Sequence, residues 1–305
     1  MEKSLPKISL VVHSFNRAEY LSKALDSIVN QGYPNLELIV VDDNSTDTSW
    51  EIIERFGHAI AYKEKIPGSR TSPVHALNVG FSHATGEIMG WLNNKNMLMP
   101  GSLFTLAEVF TTLPKVEWLT GIGLVLNKQG IITDVIPVRK DLFESMLKLP
   151  WNIQQESTFW RRSLWEKTGG RMDESEYPWA FDVALWNTKF FHRAKLYHLN
   201  TVLGAYRKLS SAQSSANVSE FYSYIEKSRQ ELRRKVSKST LLLSYLYAGL
   251  RFLKPILRNI PDRIFASIPI LNRFCHLSIA FQNANGNPPH VRVYKRNPFR
   301  TTFPW

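Results

Sequence analysis

Cysteine occurs once in the chain, at Cys275. No internal disulfide can form, and no zinc site of several thiolates can be built. No stretch reaches the roughly 18 consecutive apolar residues of a membrane span; residues 241–250 (LLLSYLYAGL) come nearest and are too short. No small-residue cleavage site follows the N-terminal Met1-Glu2-Lys3-Ser4-Leu5-Pro6, so a signal peptide is not expected. Acidic residues are scarce in one region only. Residues 221–305 hold 3 Asp+Glu against 15 Lys+Arg, whereas residues 1–220 hold 23 of each. The whole net charge of +12 therefore comes from the C-terminal part.

What is present fits a folded protein. The 305 residues are 44% hydrophobic and 21% charged, which excludes wholesale disorder and a fibrous repeat. That length suits one large domain or two modest ones. The charge split suggests a neutral body over 1–220 and a basic extension over 221–305. Such an extension suits an anionic contact surface.

The first half alternates strand and helix signals. Residues 8–12 (ISLVV) and 36–41 (LELIVV) are continuous apolar runs, as in strands covered on both faces. Between them Ala18, Leu21, Leu25 and Ile28 fall at helical spacing. A weaker strand is expected over 59–62, a helix over 74–81 and a strand over 87–91. This rhythm predicts an α/β fold with a mostly parallel central sheet flanked by helices. Further on, Asn127-Lys128-Gln129-Gly130 reads as a hairpin turn between strands 118–126 and 131–135. Helices are expected over 164–167, 180–191 and 220–238, and two strands over 195–199 and 202–207. The Asn-, Pro- and Arg-rich segment 282–305 reads as irregular, so the basic extension is expected to be mainly helical and irregular.

Ligands of open α/β sheets bind beyond the carboxyl ends of the strands. Three polar clusters stand at such ends: His13-Ser14-Phe15-Asn16-Arg17, Asp42-Asp43-Asn44-Ser45 and Asn93-Asn94-Lys95-Asn96. Taken singly, each could be loop chemistry, with Asn16 or Thr46 capping helices. Together they predict one crevice.

The run VVHSFNRAEYLSKALDSIVNQGYPNLELIVVDDNSTD resembles the opening block of family 2 glycosyltransferases, which have the GT-A fold. HALNVGFSHATGEIMGWLNN resembles the family's next block. IQQESTFWRRSLWEKTGGRMDES, followed by AFDVALW, resembles its acceptor-side block. The likeness covers roughly residues 6–215. It implies an inverting transfer of a sugar from a nucleoside-diphosphate donor to a hydroxyl acceptor. Asp42 or Asp43 would hold the nucleoside, with Ser14 and Asn16 lining the same pocket. Asp182, in Ala180-Phe181-Asp182-Val183-Ala184-Leu185-Trp186, would be the base that takes the acceptor proton. Glu156 resembles an acceptor-pocket residue; alternatively it pairs with Arg161 or Arg162.

Two departures from the family pattern concern metal. The family usually carries D-x-D or N-x-D-D after the W-L segment and holds Mg or Mn against the donor diphosphate. Here Lys95 and Asn96 take the acidic places of Trp91-Leu92-Asn93-Asn94-Lys95-Asn96. The family's histidine after its F/Y-R-x motif is Leu209 in Tyr206-Arg207-Lys208-Leu209. Amides beside an ammonium group are poor ligands for a hard cation. Either Lys95, with Arg207 and Lys208, neutralises the leaving diphosphate and no metal or other cofactor is needed, or the chain is an inactive nucleotide-sugar-binding or scaffolding protein. Asn93 and Asn94 belong to the same expected donor site, and Arg70 is a further phosphate candidate.

The extension interleaves Lys and Arg with Leu, Ile, Phe and Tyr. That pattern suits an anionic bilayer surface, and with it a saccharide or lipid-linked saccharide acceptor in surface polysaccharide or glycolipid assembly. It contains no nucleic-acid module. A cytoplasmic protein, peripheral at the inner face of the cell membrane, is the expected setting. The reading requires that the Lys95 amine and the Asp182 carboxylate share one cleft.

Overall fold

The computed structural model describes residues 4–67, 73–136, 142–147, 153–209, 218–284 and 287–300. Strand β1 (Ile8–Ser14) shows how its core is built. A strand turns successive side chains to opposite faces. Ile8, Leu10 and Val12 enter one apolar layer while Val11 enters the other, which is why the run is hydrophobic throughout. Helix α1 (Ala18–Val29) closes the first layer with Leu21, Ala24, Leu25 and Ile28. The second layer is rich in aromatic rings. Trp91, Trp118, Trp160 and Trp186 are fully buried there, and Trp91 and Trp186 stack with centroids 5.5 Å apart.

The remaining strands are β2 (Leu36–Asp42), β3 (Tyr62–Lys65), β4 (Ile88–Asn93), β5 (Met97–Leu98), β6 (Trp118–Leu126), β7 (Ile132–Ile136), β8 (Thr158–Arg161), β9 (Leu196–Arg207), β10 (His276–Ala284) and β11 (Asn287–Arg296). They form one sheet of eleven strands among the described residues, in the order β11-β10-β9-β6-β8-β4-β1-β2-β3, with β5 on β9 and β7 on β6. Strands β3, β2, β1 and β4 are mutually parallel; β8 runs antiparallel between β4 and β6. The helices after α1 are α2 (Ser49–Arg55), α3 (Val74–Ser82), α4 (Ser102–Thr112), α5 (Leu142–Met146), α6 (Arg162–Lys167), α7 (Phe181–Ala184), α8 (Val218–Lys235), α9 (Lys238–Leu250), α10 (Lys254–Leu257), α11 (Asp262–Ser267) and α12 (Pro269–Asn272). The mixed α/β architecture and the 127–130 hairpin are as expected.

Four local expectations need correction. The strand expected over 59–62 starts at Tyr62, because Gly57–Ala59 makes a 3-10 turn first. The two strands expected over 195–199 and 202–207 are the single strand β9, whose pairing with β6 absorbs register shifts between Thr120 and Gly123. The helix expected over 220–238 stops at Lys235; Ser237 then caps α9 by accepting a hydrogen bond from the Thr240 amide at 3.1 Å. The tail is not irregular through its described part. β10 and β11 pair as an antiparallel hairpin, and β10 runs parallel to β9. Its Asn and Pro content masked an alternation in which Ile279 and Val291 enter the first apolar layer. The charge boundary at residue 220 falls inside α8 and does not divide the core: Tyr247, Phe265, Leu271 and Phe274 belong to the aromatic layer.

The end of the sheet opposite the polar clusters is tied by Glu37. Its carboxylate accepts from Ser9 Oγ, from the Thr85 amide and from Thr85 Oγ1, the last two at 2.7 Å, and pairs with Lys7. Burial alone would raise its pKa; the bonds from Lys7, Ser9 and Thr85 outweigh that and lower it to about 2. A carboxylate whose folded pKa lies below its ordinary value of 4.5 stabilises the fold above that pH, and the contribution disappears as pH falls toward 2. Glu37→Gln is expected to cost about 1–3 kcal/mol at neutral pH. Denaturant unfolding at several pH values should show the difference from the native chain shrinking as the solution is acidified.

Candidate active site

In-register pairing sets the three polar clusters side by side. Ser14 of β1 pairs with Asp42 of β2, and His13 pairs with Asn93 of β4. Just past the strand ends, the Asp43 amide donates to Ser14 O at 2.8 Å and the Asn94 amide to His13 O at 3.1 Å. The loops that follow are clipped together. Asp42 accepts from the Ser45 amide at 2.8 Å and from Ser45 Oγ at 2.6 Å. Ser45 Oγ accepts from the Asn16 amide, and Asn16 Oδ1 accepts from the Thr46 amide. Asn16 and Asn44 hold φ of 42° and 56°, the left-handed region that asparagine tolerates better than most side chains. Asn16 does not cap its own helix, and Thr46 caps neither; Asp47 from the neighbouring loop accepts the Ala18 amide instead. Asp42 therefore shapes the loop, while Asp43 stands 3.8 Å from His13 Nε2.

The turn after β4 carries Lys95. Its ammonium lies 4.7 Å from the Tyr206 ring centre. Burial, then the nearby Arg17, lower its pKa, while Glu156 opposes them. Asn96 is fully buried and links β9 to the 3-10 turn Gln155–Ser157: its Oδ1 accepts from the Arg207 amide at 3.1 Å and its Nδ2 donates to Glu156 Oε2 at 3.3 Å. Arg207 was expected to meet the donor. Its guanidinium is 1% exposed and instead donates to the carbonyls of Lys95, Asn127 and Lys128 at 3.1–3.2 Å, packed over the Tyr20 ring. It fixes the turn that presents Lys95. Lys208 is exposed, and Arg70 lies outside the described residues.

Glu156 sits at 2% exposure under this turn. It pairs with neither arginine: Arg161 donates to backbone carbonyls, including Val116 O at 2.9 Å, and Arg162 pairs with Glu166 at 3.0 Å. Burial, together with the neighbouring charge of Asp182, raises its pKa to about 7 against the pull of Lys95. Its backbone lies so close to β9 that a Cβ on Gly204 would stand 2.2 Å from Glu156 O, which leaves room only for glycine there. Asp182 opens α7, half-buried, with Oδ1 accepting the Val183 amide at 2.8 Å; burial raises its pKa to about 6. The helix then runs on as a π-helix, Leu185–Phe190, a form that often marks functional sites.

The charges of Lys95 and Asp182 both act on buried Glu156, the first lowering and the second raising its pKa. Buried polar atoms ordinarily have partners. Here Ser14 Oγ, His13 Nε2, Asn93 Oδ1 and Glu156 Oε1 are buried with no hydrogen-bond partner, and all belong to this rim or to the residue beneath it. Arg17 and Tyr206 also belong to the site. Arg17 stood in the first polar cluster, but nothing in its spacing singles it out; Tyr206 is recognisable only once β9 is laid beside β6. A separate cavity of about 550 Å³, lined among others by Phe191, Lys195, Arg273 and Lys295, shares no residue with this rim.

Residues 9–121 match the family model described as glycosyl transferase family 2. Over that stretch the chain is similar to family 2 glycosyltransferases. It is 26% identical over 225 residues to an uncharacterized glycosyltransferase of Nostoc, covering 69% of each chain. It is 28% identical over 204 residues to one of Rickettsia typhi, of whose length it spans 63%. Over 107 residues it is 35% identical to the Campylobacter jejuni GalNAc(5)-diNAcBac-PP-undecaprenol beta-1,3-glucosyltransferase, covering 34% of each chain. Among solved structures, Staphylococcus aureus TarS 1-349 in complex with UDP-GlcNAc superposes with a TM-score of 0.55 at 16% identity, covering 85% of this chain and 83% of that one. That likeness is one of fold, and it makes the architecture GT-A.

If Arg207 holds the turn, Arg207→Met leaves three carbonyls without their donor. The variant is expected to lose at least about 3 kcal/mol of stability. Chemical denaturation checks this; a variant as stable as the native chain would return Arg207 to the list of ligand-binding groups.

Proposed function

We propose that this domain transfers a sugar from a nucleoside-diphosphate donor to a hydroxyl acceptor, with inversion and without a divalent metal. The observation that supports the reading is that buried Glu156, hydrogen-bonded to Asn96 beside Lys95, lies within electrostatic reach of both Lys95, on the turn after β4, and Asp182, at the start of α7. The fold it shares with TarS, whose structure contains UDP-GlcNAc, supports a nucleotide-sugar as donor.

In this reading Asp43, with Ser14 and Asn93 beside it, meets the nucleoside, whose base N–H and ribose hydroxyls are donors that a carboxylate can accept. Asp42, Asn16 and Asn94 hold the loops that shape the pocket. Glu156 faces the acceptor. The Asp182 carboxylate takes the proton of the acceptor hydroxyl as its oxygen bonds to the anomeric carbon. The bond from that carbon to the phosphate oxygen breaks, and its electron pair leaves on the diphosphate. Single displacement inverts the anomeric centre. The leaving group gains negative charge, and a positive group fixed in a partly desolvated site stabilises it most. Lys95 supplies that charge, held by Arg207 and Tyr206.

The residues do not fit a divalent cation. The strand-end turn offers the amides of Asn93, Asn94 and Asn96 beside an ammonium group, and Leu209 stands where the family has histidine. Among the described residues no cluster of three or more His, Cys, Asp or Glu is placed to hold an ion. No step is therefore routed through a metal.

Donor turnover is expected to survive EDTA and to fall by about 10²–10⁴-fold in Asp182→Asn. Lys95→Met is expected to lower kcat by about 10²–10³-fold, with its folding stability retained. The base must be ionised to act, so kcat/KM should rise with pH through about 6, the value to which burial raises Asp182. The rise should be absent from the residual activity of Asp182→Asn. Turnover that needs Mg or Mn would contradict the role of Lys95. Nucleotide-sugar binding seen by thermal shift, with no turnover on any acceptor, would mark an inactive binding protein instead.

A further inference from the structure

We propose that residues 238–273 form a docking face for an anionic lipid surface. Helix α9 is apolar on both sides. Tyr247, Leu243 and Leu250 pack into the aromatic layer. On the opposite side Leu242, Tyr245 and Leu246, at helical spacing, are exposed. The chain continues with Phe252, 88% exposed, and with exposed Leu253, Ile256, Ile264 and Ile270. More than half of the exposed large apolar side chains among the described residues fall in this one stretch. A helix that is apolar all round is normally covered, and a patch of this kind marks a contact surface.

Charge selects what covers it. The same stretch carries Lys238, Arg251, Lys254, Arg258, Arg263 and Arg273 against the single acid Asp262. Asp262 is already engaged, with the Asn297 amide at 3.1 Å and Arg300 at 3.5 Å. A second copy of the chain would bring like charges together. An anionic bilayer instead meets the cations at headgroup depth and takes the apolar side chains just below, with Tyr245 suited to the boundary. No helix among the described residues is long and apolar enough to cross a membrane, so α9–α12 would lie along the surface.

The test is flotation of the full chain with phosphatidylcholine vesicles with or without phosphatidylglycerol. The chain is expected to float with the anionic vesicles, to float poorly with neutral ones, and to be released by salt. The double variant Phe252→Glu/Leu253→Glu should weaken binding more than about tenfold, and removing Arg251 or Lys254 by a Gln substitution about fivefold each. All four positions are exposed, and unchanged melting temperatures show that the variants fold. Absence of flotation, equal flotation with both vesicle types, or full binding by the double variant overturns the proposal. So does a dimer in analytical ultracentrifugation that Phe252→Glu dissolves. The inference stands apart from the transfer reaction: a nucleotide-sugar thermal shift that persists in the non-floating variant scores the two separately.

Discussion

The parallel pairing of β1 with β2 on one side and β4 on the other is the constraint on which the rest depends. A parallel ladder leaves every strand end of one polarity at one rim. Because Ser14 faces Asp42 and His13 faces Asn93, the register fixes which residues meet there. A slip of one residue would send Leu10 and Val12 to the aromatic layer and Val11 to the other, and every buried side chain would lose its place. The apolar packing on the two faces thus enforces the alignment of the polar ends.

The electrostatics of the rim follow from burial. Glu156 and Asp182 lie close enough for the charge of one to raise the pKa of the other. Water would weaken that coupling, and Glu156 is shut away from it, its backbone pressed against Gly204 of β9. The ammonium of Lys95 is the counterweight. It is held by structure rather than by a partner carboxylate, since Arg207 grips its backbone and Tyr206 lies beside its side chain. A charge fixed in that way is available to a ligand at little reorganisation cost.

The parallel half of the fold was legible in the sequence because its strands are covered on both faces, and continuous runs such as ISLVV and LELIVV have few other uses. The three polar clusters were legible because they terminate those runs. Asp182 and Glu156 were recognisable only by their likeness to a family pattern; nothing local distinguishes Asp182 from an aspartate at any helix start. Arg207 shows the limit most clearly. Its charge suggested a ligand contact, yet its position places it under the 93–96 and 127–130 turns, where carbonyls needed a donor. That demand arises only when β9 lies against β6 and β5, a pairing between distant segments. The C-terminal hairpin was hidden for a different reason: Asn and Pro near its turn outweighed a short alternation whose meaning depends on the exposed edge of β9.

The hairpin of β10 and β11 has a consequence for how the molecule is made. It covers the side of β9 that faces away from β6, and β9 in turn supports Asn96 through Arg207. While the polypeptide is being synthesised, the stretch Tyr197–Leu199 of that flank has no strand partner until β10 has left the ribosome. Until then the nascent chain carries an open β-edge next to unfilled apolar surface, the condition under which strands recruit other chains. Protection of this edge from misassembly is therefore a late event in the birth of this protein, tied to a strand far in sequence from β1.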